Sequence, residues 1–124
     1  MKHKLKVNHK NYFKIILRLL KPFKPFNTLC NREAQLLSEL LNYNYEYRTI
    51  PFEARMKLIF NQDTRAELTK SLNMSKATLY NNFNELRKKG FITLNSINKN
   101  YLFNPDEDLH KELVFQFIID EKDN

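Results

Sequence analysis

Glycine is almost missing from this chain. Gly90 is the only one in 124 residues, and loops that cradle phosphates need several positions that accept positive φ and close approach of a ligand. P-loop and dinucleotide-binding motifs are therefore excluded. Cys30 is the only cysteine, so no internal disulfide can form, and His3, His9 and His110 stand at no metal-ligand spacing from it. A reducing, cytoplasmic setting is expected, with no metal and no cofactor. A long apolar run is also lacking: Ile15 to Leu20 is interrupted by Arg18 and falls far short of the roughly 20 residues of a membrane span. The basic opening Met-Lys-His-Lys-Leu-Lys imitates the start of a signal peptide. The apolar stretch after it is short and leads into Lys-Pro-Phe-Lys-Pro-Phe without a small-residue cleavage site, so it reads as part of the mature protein.

Acids are absent from residues 1–24, which hold eight Lys or Arg, whereas residues 105–124 hold seven acids and two Lys. The net charge of +7 is thus divided between a basic end and an acidic end, which points to a polyanionic partner or to a solvated face. What the chain has in plenty is apolar material. Hydrophobic residues make up 42% of it, with ten Phe and six Tyr, enough to bury a core in one domain of this length.

Helical spacing organises most of that material. Phe13, Ile16, Leu17 and Leu20 recur as one stripe with Lys14, Arg18 and Lys21 between them, giving a short basic amphipathic helix that Pro22 and Pro25 end. In the connector that follows, each Phe is placed to anchor on the core. Asn31 to Asn42 is the next helix, burying Ala34, Leu37, Leu40 and Leu41, and Tyr43 to Tyr47 reads as an aromatic turn. Pro51 opens a further helix with Phe52, Met56, Ile59 and Phe60 as its stripe. Thr64-Arg65-Ala66-Glu67 has the form of a capping box, so a helix is expected to begin at Thr64.

From Thr64 onward the chain runs TRAELTKSLNMSKATLYNNFNELRKKGFI. Leu68 and Leu72 bury the first helix, Asn73-Met74 makes a tight turn with an apolar plug, and Ser75 caps a second helix, Lys76 to Lys88, buried through Leu79, Phe83 and Leu86. Gly90 after a cationic last turn is a helix stop. Strands over 91–94 and 101–103, with polar residues between, are expected to form a hairpin. Taken alone, the two helices fit an ordinary helical hairpin. In this order and spacing the features closely resemble the winged helix-turn-helix superfamily, and Thr28 to Glu33 resembles the Leu-Thr-x-x-Glu opening of many such domains, with Cys30 where Ser or Thr would cap.

The resemblance implies a mainly α fold with a small β-hairpin wing, divided into a basic N-terminal arm and helix (1–27), the winged domain (28–104) and a C-terminal helix (105–124). It also implies double-stranded DNA as partner. The recognition surface is what the core leaves free: Lys76, Ala77, Thr78, Tyr80, Asn81, Asn84 and Arg87, with asparagine able to pair with adenine and Lys76 and Thr78 able to reach phosphates or base edges. Lys99, with Asn95, Asn98 and Asn100, is the expected contribution of the wing. The function implied is transcriptional regulation by a homodimer or larger homo-oligomer at a short AT-leaning site. Because short winged-helix proteins of this look occur in tailed bacteriophages and mobile elements, a structural or assembly role in a virion, against phage structural proteins, is the alternative. The C-terminal helix from Asp106 to Ile119, with Leu109, Leu113, Val114 and Phe117 on one side, either pairs subunits or packs on its own domain. No nucleophile with an adjacent base and no carboxylate cluster stands out, and His110 beside Asp106 and Glu107 reads as a surface residue, so no catalytic residue and no enzyme is expected.

Overall fold

The apolar stripes fold into five helices within the part of the chain that the computed structural model describes, residues 9–103, with side chains from Asn11 onward. The first eight residues and the expected helix from Asp106 to Ile119 lie outside the described residues. The order is α1 (His9–Leu20), a 3-10 turn (Phe26–Thr28), α2 (Asn31–Glu46), α3 (Phe52–Ile59), α4 (Gln62–Ser71), α5 (Lys76–Lys88) and a second 3-10 turn (Lys99–Tyr101). Central to the core is α2, whose Leu36, Leu37, Leu40 and Leu41 are completely buried and which packs against α1, α3 and α5.

Two helix boundaries differ from expectation. The tyrosine segment continues α2 to Glu46 instead of turning: Asn44 is still buried, Tyr43 stacks on Tyr47 one turn later at 6.2 Å, and both spacings reward helix continuation. Past the helix end, Arg55 donates to the Ile50 carbonyl at 3.0 Å and to Asn44 Oδ1 at 2.9 Å, holding the bend into α3. The second difference is at α4, which begins at Gln62 with Asn61 as its cap, the Asn61 Oδ1 accepting from the Thr64 amide at 2.7 Å. Thr64 is buried inside the first turn and its hydroxyl donates to the Leu58 carbonyl at 2.7 Å; Glu67 is taken by the Tyr43 hydroxyl at 2.8 Å. Asparagine is as good a cap as threonine and stands three residues earlier. In the connector after α1, Phe26 is buried in the core, whereas Phe23 is 41% exposed.

Both helices of the α4–α5 unit end in Schellman motifs. Met74 N–H reaches the Thr69 carbonyl at 3.0 Å and Asn73 N–H the Lys70 carbonyl at 3.3 Å, with Asn73 at φ 52. Phe91 N–H reaches the Leu86 carbonyl at 3.0 Å and Gly90 N–H the Arg87 carbonyl at 3.1 Å, with Gly90 at φ 84. Asparagine and glycine are the residues that tolerate that left-handed position.

The expected β-hairpin wing is corrected by the structure. No strand is present among the described residues, and the fold there is helical. A single antiparallel bridge joins Ile92 to Ile97. The neighbours Phe91 and Ile92 are both buried, which the alternation of a strand with one buried face does not allow. The Ile97 amide meets the Met56 sulfur at 3.4 Å, and Thr93 N–H closes a tight turn on the Ser96 carbonyl at 2.7 Å. Asn98 Nδ2 donates to the Gly90 carbonyl at 2.8 Å, and its Oδ1 caps the 3-10 turn where a return strand was expected. Tyr101 then packs on Phe91 and Phe26, at 4.8 and 5.7 Å between ring centroids. Packing on the aromatic core outcompetes ladder formation.

Candidate nucleic-acid interface

Ser75 starts α5, its Oγ accepting from the Thr78 amide at 3.1 Å and donating to Thr78 Oγ1 at 3.0 Å. Leu79, Asn82, Phe83 and Leu86 then face inward. At 100° per residue, Ala77, Asn81, Asn84 and Lys88 form the opposite stripe; Ala77, Asn81 and Lys88 are exposed and Asn84 half-buried. Lys76 and Tyr80 flank that stripe, Tyr80 with 57% of its surface exposed. Five of the expected contact residues, Lys76, Ala77, Tyr80, Asn81 and Asn84, thus share one outward side.

The remaining three are placed differently. Thr78 is half-buried and its hydroxyl belongs to the Ser75 cap. Arg87 donates to Asn84 Oδ1 at 2.9 Å and to the Leu94 carbonyl at 3.0 Å, with its guanidinium 5.9 Å from the Phe83 ring centre. It straps the 93–96 turn onto α5. The Lys99 ammonium lies 4.8 Å over the Phe52 ring of α3, away from the α5 stripe in its contacts, and Asn98 is occupied by the backbone. Lys88 was not among the expected contacts, yet it continues the stripe four residues after Asn84. Helical spacing already marked it. Its ion pair with Glu85 at 3.4 Å is exposed and holds it only weakly.

The buried side of α5 is held by less obvious partners. Asn82 Nδ2 donates to the Met74 sulfur at 3.3 Å, which ties the helix to the turn before it, and Arg65 of α4 lies 5.0 Å over the Phe83 ring. At the far end, Lys89 donates to both Glu33 Oε1 and the Thr28 carbonyl, joining the end of α5 to the start of α2. Burial works against the Glu33 charge, but the Lys89 hydrogen bond and the Cys30 amide outweigh it and hold the carboxyl below its ordinary range.

Among the described residues no three His, Cys, Asp or Glu side chains are grouped so as to hold a metal ion, and no helix is long and apolar enough to cross a membrane. Comparison with protein-family models, with curated proteins and with solved structures finds no match.

Proposed function

We propose that the chain binds double-stranded DNA through α5, as a helix-turn-helix protein that regulates transcription. The observation that carries this reading is the division of α5 into two sides. One side is committed to the core, while Ala77, Tyr80, Asn81, Asn84 and Lys88 are left facing out beside a capped, cationic helix start. Ala77 at the head of the stripe lets the helix backbone approach a groove, and Asn81 offers the donor and acceptor that match adenine. The cations add sequence-independent attraction to phosphates.

Selection of bound duplexes from a random pool, followed by titration of the selected and a scrambled duplex, tests it. Asn81→Ala is expected to weaken discrimination at one base pair by about 1 to 3 kcal/mol with the fold intact. Equal loss on selected and scrambled duplexes would remove the base-reading role from Asn81.

A further inference from the structure

Between α1 and α4 runs a groove floored by α2, which α5 does not fill. Its larger part is an open cleft of about 570 Å³, walled by Lys14 and Arg18 of α1 and by Lys21 just past its end, with Asn31, Gln35 and Glu39 of α2 and Ser71 at the end of α4 also lining it. Lys14 and Arg18 stand one turn apart on a helix that has no acid, so they share one side of it, and Lys21 follows in the turn after that helix. Leu72, which also lines the cleft, caps α4 and leads directly into the turn before α5. Farther along the groove the sign of charge reverses: Glu39 lines both parts, and Glu46 and Glu67 line the neighbouring cleft with Lys14.

We infer that this cleft seats the phosphate backbone on one flank of the duplex that α5 reads, with Lys14 and Arg18 as the phosphate contacts. The inference rests on the DNA-binding reading of α5. Charge complementarity decides the occupant: Arg18, Lys14 and Lys21 with the amides of Asn31 and Gln35 suit a phosphodiester strand, and Glu39 at the Lys14 end of the cleft, with Glu46 and Glu67 beyond it, sets where that strand must leave the surface. Lys21 donates to the Leu29 carbonyl, so it adds field without a contact of its own. The carboxyl of Glu39 is pushed up from its ordinary range, first by burial and then by Glu46, against the pull of Lys14, and it stands where it repels the strand.

The test compares the full chain with a Lys14→Ala/Arg18→Ala double variant and with Glu39→Gln. Each is titrated with a selected and a scrambled duplex over a range of salt concentration and footprinted with hydroxyl radicals. The double variant is expected to lower the slope of log affinity against log salt by about 1.8, at roughly 0.9 per contact. It should weaken both duplexes alike and lose protection on one flank only. Glu39→Gln is expected to bind both duplexes severalfold more tightly, a gain that misfolding cannot imitate. If the wild-type chain binds but the double variant keeps its slope and footprint, or Glu39→Gln gains nothing, the cleft does not carry phosphate. If the wild-type chain binds no duplex, the reading of α5 fails first and the cleft falls with it.

Discussion

Glu33 and Lys89 meet across 56 positions of chain and set how the end of α5 sits on α2. The Glu33 side chain is only 7% exposed, so removing its partner leaves a buried carboxylate with Cys30, through its amide and its thiol, as the remaining support. Lys89→Met is expected to cost about 1 to 3 kcal/mol in a chemical-denaturation midpoint. The pH dependence has a definite sign. Because the folded carboxyl titrates below the ordinary 4.5, the stabilisation is complete above that value and is lost as pH falls through the lower folded one. Thermal melts from about pH 6 to about pH 3 should therefore fall more steeply for wild type than for Lys89→Met. Gly90 is a second residue with a single purpose: a Cβ there meets nothing within 4 Å, so Gly90→Ala tests backbone conformation alone. It is expected to lose about 1 kcal/mol, with Gly90→Asn losing less. That stop was legible in the sequence, because glycine after a cationic turn has few other uses. Thr64 was misread as a cap because Asn61 is an equal candidate, and only the burial of Thr64 against α3 separates them.

On α5 the inward and outward residues call for opposite behaviour. Leu79→Ala and Phe83→Ala, at positions 3% and 1% exposed, are expected to destabilise the fold by roughly 2 to 5 kcal/mol in thermal or denaturant melts, whereas Asn81→Ala should leave the melt unchanged. Arg87 belongs with the first group. Its loss in Arg87→Gln removes bonds to Asn84 and Leu94, and an expected cost of about 1 to 3 kcal/mol in the same melts would mark it as a strap; a melt equal to wild type would return it to the contact surface. The two sides of α5 follow from period 3.6 and needed no tertiary information. The segment after Gly90 did. Strands over 91–94 and 101–103 were expected there as the hairpin that completes the pattern, but strand pairing depends on what else each residue can bury against, and Phe91, Ile97 and Tyr101 pack on the helical core instead.

At the scale of the whole molecule, the lysines of residues 1–8 and the cations of the described helices add to one electrostatic field. Deleting residues 1–8 removes Lys2, Lys4 and Lys6 without entering α1, and if all three touch phosphates the salt slope of DNA affinity is expected to fall by about 2.7, at roughly 0.9 per contact. An unchanged slope would assign those lysines to another partner. Charge distribution, the helical stripes of α1 to α5 and the free side of α5 were determined by the sequence itself, because each depends on residue type and on spacing along one helix. Which of the expected contact cations are held by other groups, how α5 is clamped to α2, and that a helical core with a tight turn replaces a hairpin were decided only by tertiary structure. Those outcomes turn on partners distant in sequence, such as Lys89 with Glu33 or the Ile97 amide with Met56, and local periodicity carries no information about which distant group is within reach.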